Sequence, residues 1–311
     1  MGSLHSYLAP VIAEVRARRP IRTGSLVITV FGDIVVPRGG VVWLGSLVEL
    51  LAPFGVSYGQ IRTAVSRLRT EDWLASEAWG RKSFVRLTDH GQRRLAEATS
   101  RIYGSGAAPW SGRWTVLLFP AGLSPRHPVR TALGWLGFGT LSPQVFLHPN
   151  PDPQGLGSVL DDARRQLPPD EAPIEIDGEG TLGVPLDHRH PALDRLVASS
   201  WSFEPLEAAY QRFVNRFRPV TAGLAPPIDP EEAVALRLAL IHDFRRILLR
   251  DPGLPEALQP PGWIGQDVRA LVAEIYQAIL GPSETWISDH LVGPQGPLPH
   301  APIDLARRFQ P

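Results

Sequence analysis

The segment 57–70 combines arginine and hydroxyl side chains on one face of a predicted helix. Its apolar residues recur at i, i+3, i+4 and i+7, the spacing of a helix packed on a core: Ile61, Ala64, Val65 and Leu68. The opposite face is small and polar, edged by guanidinium groups: Gly59, Arg62, Thr63, Ser66, Arg67 and Thr70. Ser57 followed by Gln60 predicts a capping box that begins the helix. Such a face suits a groove lined with phosphates and base edges.

A basic hairpin is predicted directly after this helix. Two short strands, 73–74 and 83–87, flank a tip at residues 79–82 that contains Arg81 and Lys82. A basic helix followed by a basic hairpin is typical of the winged helix-turn-helix, a DNA-binding motif. We predict that Arg62, Thr63 and Ser66 lie in the major groove and that Arg67 and Arg69 contact the DNA backbone. Arg81 and Lys82 on the hairpin are predicted to contact phosphate or the minor groove.

A second cluster of candidate binding residues lies in the C-terminal half. His242, Arg245 and Arg246 stand at i, i+3 and i+4 of a predicted helix that begins near Asp229. Guanidinium groups pair bidentately with phosphate or carboxylate, so this cluster could clamp an anionic ligand. The alternative is a solvated helix face with Asp243 and other acids as partners. Spacing alone leaves both interpretations open.

No catalytic or metal-binding set is predicted. His188 and His190 near Asp187 lack a third ligand at a suitable spacing, and the segment resembles a loop. Neither a phosphate-binding loop in Walker or dinucleotide spacing nor a Gly-x-Ser-x-Gly elbow is present, since the glycines of 104–109 indicate a linker. The chain also has no cysteine, which excludes disulfides and thiolate chemistry.

The distribution of charge indicates that the N-terminal third of the chain could bind a polyanion. Residues 1–104 hold 14 Lys and Arg against 8 Asp and Glu, whereas residues 105–311 hold 17 against 23. The first part therefore carries +6 and the rest −6, although the whole chain is neutral. No apolar run approaches the ~20 residues that span a bilayer, and the N-terminus lacks the features of a signal peptide. These features predict a soluble cytoplasmic protein.

The segment order predicts an α+β protein of several domains. Residues 1–104 are predicted to form a winged-helix domain that includes an N-terminal helix at 4–19. This helix could be an arm that touches DNA or forms a dimer, or its basic end could simply be solvated. Strands and helices alternate over 110–186, which suggests a small α/β, ferredoxin-like domain. Residues 190–290 are predicted to be helical, and 291–311 form a Pro-rich tail that we expect to be extended.

Several of these motifs resemble the PaaX family of transcriptional repressors, regulators of phenylacetate catabolism. In the N-terminal part the similarity lies in PRGGVVWLGSL from Pro37, Phe54-Gly55, Ile61-Arg62-Thr63-Ala64, Arg67-Leu68, Trp73-Leu74 and Gly80-Arg81-Lys82-Ser83. In the C-terminal part it lies in His242-x-x-Arg245-Arg246, Arg250-Asp251-Pro252-x-Leu254-Pro255, Pro260 and Trp263. The similarity therefore extends from about residue 23 to about residue 280.

The resemblance implies a DNA-binding transcriptional repressor that acts as a homodimer on a double-stranded operator. It also implies a winged-helix N-terminal domain, a Cas2-like middle domain and a helical C-terminal domain. An aryl-acyl-CoA effector, typically phenylacetyl-CoA, would release the protein from DNA, with His242, Arg245 and Arg246 as the candidate binding residues. Two alternatives are weighed against it. The chain could be an enzyme acting on a CoA thioester or nucleic acid with the winged helix as a tether, or the winged helix could serve protein contact.

Overall fold

The computed structural model describes residues 3–18, 22–104, 109–120, 127–166, 174–179, 191–302, 305 and 307–309. The chain divides into two compact units. Residues 1–105, 211–246 and 266–311 form the first unit, and residues 106–210 and 247–265 form the second. The sequence predicted a separate helical domain over 190–290; the structure divides that stretch between the two units, because the buried helices of 211–246 and 266–290 share one body with the N-terminal segment.

The described residues of the N-terminal part of the first unit form five α-helices and a three-stranded sheet. Its helices are α1 (Leu4–Ala17), α2 (Thr23–Val30), α3 (Leu44–Leu51), α4 (Tyr58–Thr70) and α5 (Asp89–Tyr103). A π-helical turn (Phe31–Val35) and a 3-10 turn (Val36–Arg38) continue α2. Strands β1 (Val41–Trp43), β2 (Leu74–Trp79) and β3 (Lys82–Leu87) form an antiparallel sheet in the order β1-β3-β2.

Most of these elements match the sequence predictions. The capping box of α4 is confirmed, because Gln60 N donates to Ser57 Oγ at 3.3 Å and Ser57 N donates to Gln60 Oε1 at 2.8 Å. The apolar stripe of α4 is buried as expected. Because Leu44, Leu47, Val48 and Leu51 share one helical face, the sequence predicts a helix from Trp43 to Leu51. The helix is present from Leu44, but Trp43 instead ends β1, where it pairs with Phe84. A three-residue strand has no periodicity of its own, so only its partner reveals it.

The rest of the first unit is made of long helices and a small hairpin. Helix α9 (Glu204–Phe217) enters this unit at residue 211, and α10 (Pro230–Leu248) and α11 (Gly265–His290) provide most of its helical core. Helix α10 is buried on all sides from Ala233 to Phe244, as expected of a helix inside a large core. The apolar pattern of the sequence predicts a helix from Trp263 to Leu280. In the structure α11 continues through Pro282, because Ser283, Trp286 and Ile287 are buried beyond it.

The predicted tail is in part a packed structure. Strands β8 (Val292–Gly293) and β9 (Gly296–Pro297) form a hairpin, and Leu291, Leu298 and Leu305 are buried. Val292 N donates to the buried hydroxyl of Ser46 on α3 at 2.9 Å. This part of the C-terminal segment therefore packs against the N-terminal sheet and α3, instead of extending into solvent.

The second unit holds a four-stranded antiparallel sheet covered by helices. Its order along the chain is β4 (Arg113–Leu118), α6 (His127–Trp135), β5 (Gly139–Ser142), β6 (Val145–His148), α7 (Pro153–Gln166), β7 (Ile174–Glu179) and α8 (Pro191–Ser200). The strands pair in the order β5-β6-β4-β7. The β-α-β-β-α-β succession is that of ferredoxin-like units, as the alternation of elements suggested. Leu117, Phe146 and Leu133 lie in the core between this sheet and its helices.

Candidate nucleic-acid interface

Helix α4 exposes a continuous polar face. Ile61, Ala64, Val65 and Leu68 are buried, whereas Arg62, Thr63, Ser66, Arg67 and Arg69 are all exposed. Thr63 Oγ1 donates to the carbonyl of Gly59 at 3.0 Å, so its hydroxyl lies along the helix with its lone pairs free to accept. A shallow groove runs along this face, lined by Gly59, Arg62, Thr63, Ser66, Arg67 and Thr70. The face is therefore small, open to solvent and rich in hydrogen-bonding groups.

The arginines of α4 differ in their partners. Arg62 lies over the exposed ring of Tyr58, with its Cζ 5.8 Å from the ring centroid. Arg67 Nε is 3.2 Å from Glu71 Oε1, and this ion pair is largely solvated. Within the part of the chain that the structure describes, neither Arg62 nor Arg69 has a carboxylate partner. An exposed guanidinium without an acid is available to phosphate or to a base edge.

The hairpin places two more cations in the same unit. Strand β2 packs against α4, and the turn at Gly80 and Arg81 joins it to β3. Gly80 has φ of +61°, a left-handed conformation that suits glycine. Arg81 and Lys82 are exposed, and Lys82 Nζ lies 4.7 Å from the centroid of the Trp43 ring. The tertiary structure thus joins the basic hairpin directly to the polar helix.

The second predicted cluster is partly buried. His242 is 3% exposed, and its Nδ1 lies 3.0 Å from Thr29 Oγ1. Burial, with further lowering by Arg245, Arg246 and Arg18, reduces the pKa of His242 to about 3. The imidazole is therefore neutral at physiological pH and contacts α2 in the core. In this conformation it offers no exposed edge to a ligand.

Arg245 lies half-buried beside His242. Its Nη1 donates to the carbonyl of Ser25 at 3.0 Å and to Thr29 Oγ1 at 2.9 Å, both on α2. No carboxylate among the described residues pairs with it, and burial lowers its pKa to about 10. The hydrogen bonds to neutral oxygens therefore leave the positive charge of this half-buried guanidinium without a counter-charge within the described part of the chain. Arg246 is half-buried on the same helix and has its own interactions.

A buried ionic network connects α2 to the C-terminal helices of the same unit. Asp33, in the π-helical turn after α2, accepts from Arg237 Nε at 2.6 Å and from Arg308 Nη1 at 2.7 Å. Burial by itself raises the pKa of Asp33, but the two guanidinium groups outweigh this effect and hold the pKa below its ordinary value. Arg237 also donates to Glu284 Oε1 at 2.5 Å. The position of α2, which packs against α4, therefore depends on charges from α10, α11 and the C-terminal segment.

Sequence reasoning missed two exposed aromatic residues at this interface. Tyr58 is 53% exposed at the first turn of α4, and Trp79 is 51% exposed at the end of β2. Tyr58 stands three residues before Ile61, so the helical wheel alone would place it on the buried stripe. For Trp79 the available signal was its place beside Gly80 at the hairpin tip, since tip residues lie in solvent.

Across the described ranges, no three His, Asp or Glu side chains are gathered so that they could hold a metal ion. His188, His190 and Asp187 lie outside the described residues. Among the described helices, none is both long and apolar enough to cross a membrane.

Comparison with known proteins places three successive segments in one family. Residues 22–91 match the PaaX-like protein family, residues 107–164 the PaaX protein central Cas2-like domain, and residues 201–289 the PaaX-like protein C-terminal domain. The transcriptional repressor PaaX of Escherichia coli (strain K12) is 35% identical over 304 residues, which cover 96% of this chain and 92% of that protein.

Among solved structures, the uncharacterized protein Rv0674 from Mycobacterium tuberculosis is similar over 76% of this chain and 88% of its own, at 22% identity and a TM-score of 0.46. The full-length similarity to the Escherichia coli protein and the three family matches agree with the motifs identified in the sequence. This chain belongs to the PaaX family.

Proposed function

We propose that this chain is a transcriptional repressor that binds double-stranded DNA through a winged helix-turn-helix. The observation that carries the proposal is the exposed polar face of α4, where Arg62, Thr63 and Ser66 are open to solvent beside a basic hairpin. Helix α3 would brace α4, and α4 would enter the major groove. The Escherichia coli relative, named as a transcriptional repressor, supports the same function.

The proposed contacts divide into base-reading and phosphate-binding groups. Arg62, Thr63 and Ser66 would face base edges, because all three lie on the outer side of α4. Arg62 and Thr63 belong to its N-terminal half, which would enter the groove first. Arg67 and Arg69 lie closer to the end of the helix and would contact the DNA backbone, where Arg67 exchanges Glu71 for phosphate. Arg81 and Lys82 would bind phosphate or the minor groove from the hairpin.

This proposal is tested by selecting duplexes from a random-sequence pool with the wild-type protein and then measuring the affinity of each variant for them. Arg62→Ala should weaken binding by ~1–3 kcal/mol, roughly 5- to 150-fold, and relax specificity at one position. Lys82→Ala should weaken binding about equally on all sequences and lower the salt dependence. Arg212→Ala removes one exposed arginine from α9 and serves as the matched control. Unchanged affinity and sequence preference in Arg62→Ala would show that α4 does not read the DNA.

We further propose that an aryl-acyl-CoA such as phenylacetyl-CoA acts as the effector and that Arg245 and Arg246 bind its anionic part. Arg245 is the stronger candidate, because it is half-buried without a carboxylate partner among the described residues. Its guanidinium holds Ser25 and Thr29 of α2, and α2 packs against α4. A phosphate that drew Arg245 away would therefore remove hydrogen bonds from the helix that supports α4. His242, neutral and buried, would position Arg245 through Thr29 instead of touching the ligand.

Calorimetry with phenylacetyl-CoA, other CoA thioesters, free CoA and phenylacetate tests the effector proposal. Arg245→Ala should weaken binding of the active thioester, whereas Arg212→Ala should not. Because coupling is reciprocal, a true inducer must bind the DNA-free protein more tightly than the DNA complex. The absence of heat from every compound would remove the proposal. Equal affinity in the presence and absence of DNA would remove the inducer role.

We propose that the protein binds its operator as a homodimer. A two-fold dimer would place two copies of α4 on half-sites about one helical turn of DNA apart. Sedimentation of the free protein and of its DNA complex would give both stoichiometries. One copy per duplex, together with a selected site that lacks two-fold symmetry, would contradict this arrangement.

A further inference from the structure

We propose that Trp79 is a minor-groove wedge: its indole enters the minor groove of the bound duplex and partly unstacks one base step. The proposal rests on the DNA-binding function proposed above. It adds a contact of different chemistry, because Trp79 is uncharged and carries an apolar ring. The alternative partner for such a ring, a second protein surface, is a possible outcome of the test below.

The register of the sheet places Trp79 on a row of aromatic side chains. Directly opposed residues in an antiparallel pair share one face. Trp79 opposes Lys82, Glu77 opposes Phe84, and Phe84 opposes Trp43 on β1. Trp43, Phe84 and Trp79 therefore lie on the same face of the sheet, one on each strand. Val42 and Val85 belong to the other face, which is buried.

Contacts within this row hold the Trp79 ring in place. Its centroid lies 5.7 Å from that of Phe84, with the two planes inclined at 50°. Phe84 is only 5% exposed, so it forms a firm support, whereas half of the Trp79 side chain remains in solvent. Such bracing lowers the conformational entropy that the ring would lose on binding.

The row also has a support at its other end. The ring of Trp43 lies over Gly45, where a Cβ atom would come within 2.5 Å of the indole. The glycine therefore lets the ring lie flat against the start of α3. Lys82 Nζ then sits 4.7 Å above the Trp43 ring. This contact fixes the ammonium group on the same face as Trp79.

The charges around the exposed ring favour DNA as its partner. Arg81 and Lys82 follow Trp79 within three residues, and both are exposed. Arginine is enriched beside aromatic rings in protein-protein contacts but lysine is depleted there, so Lys82 argues against a protein partner. Minor-groove proteins, by contrast, insert apolar side chains between base steps while neighbouring cations neutralise the phosphates. The hairpin tip presents this combination.

The test uses a duplex selected by the wild-type protein, with 2-aminopurine substituted at successive positions, since this base brightens when it is unstacked. Wild type should brighten the probe severalfold at one step where the hairpin tip contacts the duplex, and Trp79→Ala should abolish that signal and weaken binding about tenfold. Trp79→Phe should retain part of both. Trp135→Ala, which removes another exposed tryptophan from the second unit, should behave as wild type. Thermal unfolding of each variant verifies folding.

Salt dependence separates the wedge from the proposed DNA binding itself. Trp79→Ala should leave the slope of log Kd against log salt unchanged, because indole carries no charge, whereas Arg81→Ala should reduce it by about one. If wild type shows no salt-dependent binding to any duplex, the proposed DNA-binding function fails. If wild type binds and Trp79→Ala keeps its affinity and probe signal, only the wedge is overturned. It is likewise overturned if Trp79→Ala alters self-association in sedimentation but leaves the probe signal intact.

Discussion

Replacing Asp33 with asparagine should destabilise the first unit substantially. The Asp33 carboxylate is fully buried and receives four donors: Arg237 Nε at 2.6 Å, Arg308 Nη1 at 2.7 Å, Tyr103 OH at 2.8 Å and Tyr276 OH at 3.1 Å. An amide keeps one acceptor oxygen but turns two N–H groups toward these donors. The substitution therefore removes the negative charge and also leaves donors facing each other.

The expected cost follows from the charges that remain. Breaking a buried ion pair by removing one partner costs about 3–5 kcal/mol. The Arg237 side chain is 0% exposed, so its charge cannot be solvated. Glu284 still lies 2.5 Å from Arg237 Nη1, which compensates part of the charge and places the cost near the lower end, about 3 kcal/mol. For a body of this size, each kcal/mol lowers the melting temperature by about 2–4 °C, so we expect a fall of about 6–12 °C.

Differential scanning calorimetry of wild type and Asp33→Asn measures this fall. The matched control is Asp161→Asn, which breaks an exposed pair with Arg164 whose atoms lie 3.3 Å apart. Exposed ion pairs one turn apart on a helix contribute about 0.2–0.5 kcal/mol, so the control should melt within about 2 °C of wild type. If Asp33→Asn also melted within 2 °C of wild type, the guanidinium groups would have to be hydrated in solution. The inference that they are buried against Asp33 would then be refuted.

Three further predictions concern pH, helix capping and glycine. The pKa of His242 is about 3 in the folded protein and ~6.5 in the unfolded chain, so only the unfolded chain gains a proton at this residue between pH 7 and 5. The free energy of unfolding of wild type should therefore fall by about 2 kcal/mol more over this range than that of His242→Gln. Ser57→Ala should cost about 1 kcal/mol in urea unfolding, since it removes the α4 cap. Gly91→Ala should destabilise the protein by about 1–3 kcal/mol, because the new Cβ would lie 2.3 Å from the carbonyl oxygen of Trp73. Gly59→Ala should stabilise it by about 0.5–1 kcal/mol, because alanine favours the helix and its Cβ would meet no atom closer than 4.0 Å. The contradicting outcomes are specific to each case. If the free energy of unfolding of His242→Gln depended on pH as that of wild type does, the buried neutral imidazole would be contradicted. Equal midpoints for Ser57→Ala and wild type would show that the cap is not formed, and the two glycine variants should change stability with opposite signs.

Much of the candidate interface could be predicted from the sequence because it depends on local order. The capping box and the stripe of Ile61, Ala64, Val65 and Leu68 involve residues within one or two helical turns. Their spacing therefore specifies both the beginning of α4 and the face that it buries. The opposite face of the helix, which carries Arg62, Thr63 and Ser66, must then be exposed.

The features that were missed depend on residues far apart in the chain. Strand β1 exists because Trp43 pairs with Phe84, and α11 continues past residue 280 because a core lies beyond Pro282. The spacing of His242 and Arg245 allowed either a ligand clamp or a solvated face; the tertiary structure instead placed His242 against Thr29.

The sequence by itself determined that Arg62, Thr63 and Ser66 of α4 face outward, because a helical repeat converts spacing into direction. Only the tertiary structure decided that Asp33 is held by Arg237 and Arg308, which are separated from it by more than 200 residues in the chain. No local pattern selects such partners. The physical reason is that buried charges must be neutralised by whichever opposite charges the packed elements bring close, and that choice is made by the whole fold.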